Sequence, residues 1–150
     1  MKAYHDPAET LTGDRVIIED LRIPARIGVY PHEKTREQAI AVDIEMGLAT
    51  QACFRSDQVD DTIDYAAVAD ALRKLAVSRH FNLIEYLAEQ ASDIVLGRFG
   101  ASWVKVRISK IGVVADAKCA AVAITRLNAN VFGRSLSPQP LATSQDIEQV

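Results

Sequence analysis

Residues 40–48, IAVDIEMGL, alternate between apolar side chains and polar or small ones, and this alternation decides the fold. A period of two is typical of a β-strand that buries one face. Residues 104–109 (VKVRIS) and 120–125 (AAVAIT) alternate in the same way. A fourth β-rich segment, residues 15–29, contains Pro24. Because proline lacks a backbone N–H, we expect a bulge or an edge position there.

Two helical segments lie between the two pairs of strands. Asp64 is the predicted N-cap of the first helix. The second helix is predicted to begin at Asn82 and to stop at Gly100, a residue that favours the backbone conformation of a helix C-terminus. Apolar residues recur at helical spacing in both segments. They are Val68, Leu72, Leu75 and Ala76 in the first, and Leu83, Leu87, Ala91, Ile94 and Val95 in the second.

The predicted order of elements is therefore ββααββ. This order predicts an α+β fold, with an antiparallel sheet and two helices on one of its faces. Two helices leave the other face of a four-stranded sheet, or one of its edges, uncovered. We therefore expect the chain to associate with copies of itself.

The composition is that of a globular protein. The chain has 150 residues, 49% hydrophobic and 25% charged, with a formal net charge of −3. We expect one domain at 14–128, a disordered N-terminal tail at 1–13 and a flexible C-terminal tail at 129–150. The acidic balance, without a basic stripe, argues against a nucleic-acid binder. No apolar run approaches the ~18 residues that a membrane span requires.

The cysteines and the N-terminal residues indicate a reducing compartment. Residues 1–10 contain no apolar segment of a secretory signal, and Cys53 and Cys119 form no CxxC motif. We therefore expect both thiols to be reduced and the protein to be cytoplasmic. The three histidines are far apart, and no P-loop, GxGxxG or GxSxG motif is present. The sequence thus predicts no metal site, no nucleotide-binding loop and no serine-hydrolase chemistry.

Lys110 departs from the pattern of an apolar core. It has the parity of Val104, Val106 and Ile108, so it projects from the apolar face if the strand continues that far. A partly desolvated amine there would have a lowered pKa and would suit proton transfer. The simpler alternative is a strand that ends at Ser109, with Lys110 extending into solvent.

Three further residues allow both a structural and a functional interpretation. Glu85 lies three residues after Asn82. It is either a capping carboxylate or a ligand for two adjacent N–H donors. Tyr65 follows Asp64 at a helix start, where it either packs against the core or serves as an acid or a stacking surface. Glu33 lies in a loop, where a charged residue is usually solvated surface.

Four short segments resemble those of the dihydroneopterin aldolases and occur in the same order. They are residues 27–33 (IGVYPHE), 62–69 (TIDYAAVA), 81–85 (FNLIE) and 104–110 (VKVRISK). The first resembles the family's first active-site loop and is followed by Glu37 and Gln38, and the last resembles its last catalytic strand. The resemblance extends from about Val16 to Arg126.

The resemblance implies a role for each of five residues. Lys110 is the implied catalytic lysine, and Tyr65 reaches in from a neighbouring subunit and takes part in proton transfer. Glu33 is an implied catalytic and substrate contact on the hydroxylated side chain. Glu85 anchors the pterin, with backbone groups near Ile84 defining the slot.

The resemblance also implies an assembly and a reaction. The assembly is the tunnelling fold (T-fold), in which subunits close their sheets into a barrel and two rings stack into a homo-octamer with sites between subunits. The reaction is the retro-aldol cleavage of 7,8-dihydroneopterin in folate biosynthesis, which needs no metal and no cofactor. The implied partners are a small pterin and further copies of the chain, with no nucleic acid and no membrane.

One residue departs from the family pattern. Ile111 follows the lysine where the family usually has proline, and dihydroneopterin triphosphate 2′-epimerases also tend to lack that proline. The next residues, 112–117 (GVVADA), look closer to the aldolases, so aldolase is the favoured activity. The alternatives are the epimerase and a pterin-binding subunit without catalysis.

Overall fold

The computed structural model describes residues 13–132, and within them four strands form one antiparallel sheet. The strands lie side by side in chain order: β1 (Arg15–Ala25), β2 (Gln38–Gly47), β3 (Trp103–Ile111) and β4 (Cys119–Leu127). Between β2 and β3 come α1 (Cys53–Ser56), α2 (Tyr65–Ser78) and α3 (Ile84–Phe99), and α4 (Ala129–Phe132) follows β4. The predicted ββααββ order and the α+β class are confirmed.

The core lies between the helices and one face of the sheet. Strands β2 and β3 contribute alternate residues to it, each at most 2% exposed: Ile40, Val42, Ile44, Met46, Val104, Val106 and Ile108. They pack against apolar residues of α2 and α3, such as Leu72 and Leu87. Burial of each such side chain stabilises the fold by about 1.5–3 kcal/mol. Because successive residues of a strand point to opposite faces, the alternation in the sequence determines which face of the sheet packs against the helices.

The opposite face of the sheet is open and charged. Arg15 pairs with Glu45 at 2.9 Å, and Arg107 pairs with Asp43 at 3.6 Å. Ile17 on the same face is half exposed. Within residues 13–132, no helix covers this face of the sheet, as the count of helices predicts.

Two of the predicted helix ends are confirmed and one is wrong. The Asp64 side chain accepts hydrogen bonds from two backbone N–H groups of α2, and Gly100 ends α3 with a φ of 67°. However, α3 begins at Ile84, with Leu83 as its N-cap, rather than at Asn82. The reason is that Phe81 forms a β-bridge with Ile27, the chain bends at Asn82, and the backbone of Leu83 is extended, with φ of −126° and ψ of 137°.

The bulge of β1 does not lie at the proline. Pro24 keeps its register opposite Ala39, and β1 forms an edge of the sheet, as expected for a strand that contains proline. The irregularity lies between Ile18 and Leu21, where Asp20 has a φ of 51°. Asp20 can adopt this left-handed conformation because aspartate tolerates it better than most residues do.

The ends of the predicted domain fall near the ends of the described chain. Most of the predicted tails, at 1–12 and 133–150, lies outside the described residues. The first four residues of the predicted C-terminal tail, Ala129–Phe132, form α4. Within residues 13–132, no helix is both long and apolar enough to cross a membrane. The same residues contain no cluster of three potential metal ligands.

Candidate active site

A cleft opens at the end of the sheet where β2 begins and β3 ends. Its volume is about 670 Å³, and its walls come from the loop before β2, the start of α3 and the end of β3. Four of the five predicted site residues line it together: Glu33, Ile84, Glu85 and Lys110. Segments far apart in sequence thus converge on one cavity, with a volume typical of a small-molecule site.

Lys110 lies inside the strand, and the alternative in which the strand stops at Ser109 is wrong. Strand β3 continues to Ile111, and Lys110 pairs with Ile40 of β2. Its side chain is only 15% exposed. The amine therefore lies at the end of the apolar sheet face, as the parity argument predicts, and it points toward the loop that carries Glu33.

Glu33 is a buried charge rather than a solvated loop residue. It ends a single turn of 3-10 helix (Pro31–Glu33) and is 6% exposed. One carboxylate oxygen, Oε2, accepts hydrogen bonds from the Lys110 amine at 2.5 Å and from the Gln38 side chain at 3.1 Å. The other, Oε1, accepts a longer one from the Tyr30 N–H at 3.4 Å. A buried carboxylate requires such partners, because an unpaired one would be costly.

These contacts keep Glu33 ionised. The Lys110 ammonium and then the Gln38 amide lower the pKa of Glu33 from 4.5 to about 2, against the opposing effect of burial. The cleft therefore contains an ionised Glu33 carboxylate in contact with the Lys110 amine, beside space for a ligand.

The loop that presents Glu33 depends on Gly28. Gly28 has a φ of 133°, in the region that favours glycine. A Cβ atom at this position would overlap the carboxyl group of Glu33, so the backbone of Gly28 packs directly against that carboxyl. A glycine at position 28 therefore leaves the space in which the Glu33 side chain lies against the loop backbone and reaches Lys110.

Glu85 occupies the other wall of the cleft and has a different environment. It is the second residue of α3 and is exposed, and no hydrogen bond or ion pair of its carboxylate occurs within the described residues. The proposed cap on Asn82 is wrong, because Leu83 is the N-cap. The positive end of α3 still favours an acid at this position. Its carboxylate is thus free to accept hydrogen bonds from a ligand.

Tyr65 lies away from this cleft. It begins α2 and is 64% exposed, whereas the cleft is near the other end of that helix. The 14 residues of α2 span about 20 Å at the ordinary helical rise. A single chain therefore does not bring Tyr65 to Lys110.

Two contacts of the site were not singled out in the sequence. Gln38 donates one hydrogen bond to Glu33 and another to the Ile27 carbonyl at 2.9 Å. His80 contacts the Gly28 carbonyl oxygen at 2.7 Å. The sequence offered a partial indication for Gln38, since it follows the first-loop motif. It offered none for His80, because the residue that His80 contacts lies 52 positions away.

The fold and the cleft define the class of protein. An antiparallel α+β subunit presents the Lys110–Glu33 pair and the second carboxylate of Glu85 to a small cavity. Such a set of groups can bind a polar small molecule and transfer protons to and from it. A family model described as FolB, dihydroneopterin aldolase, matches residues 16–125. The chain belongs to the dihydroneopterin aldolase family.

Relatives cover most of the chain. It is 38% identical over 115 residues to the dihydroneopterin aldolase of Escherichia coli K12, and this alignment covers 77% of this chain and 94% of that protein. The Haemophilus influenzae dihydroneopterin aldolase is 34% identical over 113 residues, or 75% of this chain and 96% of that one. The family that the four sequence segments resemble is therefore confirmed.

Solved structures share the fold. A FolB protein of Vibrio cholerae superposes with a TM-score of 0.74 at 36% identity, covering 78% of this chain and 99% of that chain. The Escherichia coli dihydroneopterin aldolase, solved in complex with neopterin, gives a TM-score of 0.71 at 38% identity, covering 75% of this chain and 98% of that chain.

Proposed function

We propose that this chain is a 7,8-dihydroneopterin aldolase of folate biosynthesis. It cleaves its substrate by a retro-aldol reaction to 6-hydroxymethyl-7,8-dihydropterin and glycolaldehyde. The observation that carries the proposal is the cleft itself, in which Lys110 and Glu33 form a buried pair and Glu85 remains free. Family membership and a relative that binds neopterin support the same substrate class.

The chemistry requires one proton to move from oxygen to carbon. A base takes the proton of the C2′ hydroxyl, the C1′–C2′ bond breaks, and its electron pair moves into the C=N bond of the dihydropterin ring to give an enamine. Glycolaldehyde leaves, and C1′ then takes up a proton to become the hydroxymethyl group. The reaction is balanced without any redox partner, because the proton lost at oxygen equals the one gained at carbon.

Lys110 and Glu33 divide this work on one wall of the cleft. Lys110 moves the proton through a water, and it ends each cycle in its starting state. Glu33 keeps the amine in place through Oε2, while Oε1 has only the long contact with the Tyr30 N–H. We assign Oε1 to the substrate hydroxyls. General acid–base catalysis of this kind contributes about 10²- to 10⁴-fold to the rate.

Glu85 holds the pterin ring on the other wall. The 2-amino group and N3–H of a pterin are two adjacent donors, and a carboxylate matches such an edge with two parallel hydrogen bonds. Backbone groups near Ile84 complete the slot. The exposed and unpaired state of Glu85 supports this role, because its hydrogen-bonding capacity is unused in the described chain.

Tyr65 completes the site from a second copy, in a homo-octamer. Tyr65 begins α2 and does not line the cleft of its own chain, and this position supports a shared site. In the described part of the chain, one sheet face is open and the outer edges of β1 and β4 pair with no other strand, and both features support association through the sheet. We expect a mass in solution eight times that of the 16.4 kDa chain. A monomer by light scattering at micromolar concentration would contradict the shared site.

Mixed subunits test the sharing directly. Lys110→Ala and Tyr65→Phe chains are each expected to be nearly inactive, but co-refolded at equal amounts they should form hybrid sites. Random assembly makes about one site in four intact. The control mixes Lys110→Ala with Glu33→Gln, two residues of one wall. That mixture must stay inactive, and recovery there, or none in the first mixture, would refute the shared site.

A second candidate activity is supported by two observations. Ile111 replaces the usual proline, and Arg36 lines the cleft, where its guanidinium could contact a phosphorylated side chain. Lys34, the other cationic residue of that loop, does not line the cleft. These features favour an epimerase that acts on dihydroneopterin triphosphate. If glycolaldehyde turns over within the cleft before it leaves, the C1′ carbon of the enamine can attack the other face of its carbonyl, and the oxygen then takes back the proton. The C1′–C2′ bond re-forms with inversion at C2′, so epimerisation is also an expected side activity of the aldolase.

The deciding experiment is incubation with 7,8-dihydroneopterin and with its triphosphate in parallel, with assay of both aldolase products and of the epimer. We expect 6-hydroxymethyl-7,8-dihydropterin and glycolaldehyde in equal amounts from the free substrate, formed about 10²- to 10⁴-fold more slowly by Lys110→Ala. Epimer from the triphosphate alone would select the epimerase. Pterin binding without any product would select the non-catalytic subunit.

We propose the cytoplasm as the compartment of the protein. The free thiols of Cys53 and Cys119 support this proposal.

A further inference from the structure

His80 lies in the connection between α2 and α3 and contacts the loop that carries Glu33. Its Nε2 atom lies 2.7 Å from the carbonyl oxygen of Gly28. A carbonyl oxygen can only accept, so Nε2 bears the proton and donates. In the neutral ring Nδ1 then has no proton, and this atom is buried without a hydrogen-bond partner in the part of the chain described. The polar contact of the ring is therefore directed at the Glu33 loop.

The backbone around His80 forms a second connection to the same loop. The Gly28 N–H donates to the Phe81 carbonyl at 2.9 Å, and the Phe81 N–H donates to the Arg26 carbonyl at 2.7 Å. Together with the imidazole, three hydrogen bonds attach residues 26–28 to residues 80–81. The His80 contact is the one that fixes the outer, carbonyl side of Gly28, where the loop turns into the cleft.

Any movement of Gly28 is transmitted to the reacting groups. The backbone of Gly28 packs against the carboxyl of Glu33, closely enough that a Cβ atom does not fit between them. Glu33 in turn holds the Lys110 amine at 2.5 Å. A contiguous path of contacts thus runs from His80 through Gly28 and Glu33 to Lys110.

We propose that His80 is a positioning residue for the Glu33–Lys110 pair, and that its hydrogen bond to Gly28 sets the rate of the chemical step. The proposal rests on the aldolase function proposed above. His80 touches neither Glu85 nor Ile84 by hydrogen bond in the described chain, so the hold on the pterin ring does not depend on it. The consequence is a change in kcat with little change in KM.

Two variants of nearly equal length separate the hydrogen bond from the volume of the ring. His80→Gln retains an N–H donor that can reach the Gly28 carbonyl, whereas His80→Met fills similar space without a donor. We expect His80→Met to lower kcat by about 10- to 100-fold, since small misplacements of catalytic groups cost up to about that much. We expect KM to stay within about threefold, and His80→Gln to restore kcat to within about threefold of the parent.

Hydrogen exchange measured by mass spectrometry gives a readout that does not depend on the reaction. Peptides covering residues 28–37 should exchange faster in His80→Met than in the parent or in His80→Gln, whereas peptides covering 104–109 should be unchanged. If His80→Met does not fold, His80→Asn replaces it, because its shorter amide does not reach Gly28. The same loss of kcat and of loop protection is expected from it.

The outcomes are separable. A parent enzyme that does not cleave dihydroneopterin contradicts the proposed function. An active parent with His80→Met within twofold of it in kcat and unchanged in exchange overturns the role of His80. An equal loss in His80→Gln and His80→Met also overturns it, since the ring shape and not the hydrogen bond would then be what matters.

Discussion

Glu33 and Glu85 are two carboxylates of one cleft with opposite environments. Glu33 is buried and bound by Lys110 and Gln38, while Glu85 is exposed at the start of α3 and its carboxylate has no hydrogen bond or ion pair within residues 13–132. A carboxylate that already accepts hydrogen bonds from its own chain holds those donor groups in place. A carboxylate without such hydrogen bonds can accept them from a ligand. Two like residues in one pocket thus divide the work according to their partners. This division predicts that changes at the two walls have separable effects.

Lys110→Ala should have the largest effect. It removes the proton carrier from the Glu33 wall and leaves the Glu85 wall untouched. We expect kcat to fall by about 10²- to 10⁴-fold, while the Kd for neopterin, measured by fluorescence titration, stays within about tenfold. Near-normal turnover would remove Lys110 from the mechanism, and a large loss of binding would show that the two walls are not separable.

Glu85→Gln should give the converse result. The amide presents one acceptor and one NH₂ group, so a donor of the pterin edge faces another donor. Such a mismatch costs about 2–4 kcal/mol, or roughly 30- to 1,000-fold in affinity. Calorimetric titration with neopterin measures the loss, and the melting temperature should change little because the residue is exposed. Parent-like binding would return Glu85 to a role at the helix end alone.

Gly28→Ala tests the backbone beneath the Glu33 wall. The added Cβ overlaps the Glu33 carboxyl, and the φ of 133° is strained for alanine. We expect a loss of about 1–3 kcal/mol in the free energy of unfolding, measured by urea denaturation, together with a lower kcat. Gly97→Ala is the matched control, because Gly97 lies within a helix and nothing lies within 4 Å of the space that its new Cβ would occupy. Equal stability of Gly28→Ala and the parent would mean that Glu33 does not depend on this glycine.

The smallest effect should appear on acidification. The pKa of Glu33 is about 2 in the folded chain and 4.5 in its ordinary state, so its contribution to stability is complete above pH 4.5. That contribution is lost as the pH falls from 4.5 toward 2, and amounts to about 1–3 kcal/mol. Urea denaturation at several pH values should give a steeper decline for the parent than for Glu33→Gln. Parallel curves for both proteins would contradict the depressed pKa.

The regular parts of the fold were predictable from the sequence because their causes are local. Alternation in residues 40–48 places one face of β2 in the core, and Asp64 and Gly100 end their helices through contacts with nearby backbone. The strand parity also placed Lys110 on the apolar face on the condition that β3 continues past Ser109, which it does. Each of these arguments depends on residues within a few positions of one another.

The remaining features depend on contacts between distant segments. Glu33 is buried because Lys110, 77 positions away, pairs with it. The start of α3 is delayed because Phe81 bridges to Ile27. No periodicity encodes such pairs, so residue patterns alone favoured solvated surface for Glu33 and could not decide between a cap and a ligand contact for Glu85. Their roles were predicted through the family resemblance, which records the distant contacts indirectly.

The edge strand β1 has irregularities that bear on how copies of this chain can meet. A bulge interrupts it between Ile18 and Leu21, and Pro24 offers no N–H to a neighbouring strand. A straight, uniform strand that tried to extend the sheet at this edge would lose hydrogen bonds at both places. The edge thus protects the protein against indiscriminate strand addition and amyloid-like aggregation. It also limits an ordered assembly to the few registers in which a partner strand avoids both interruptions.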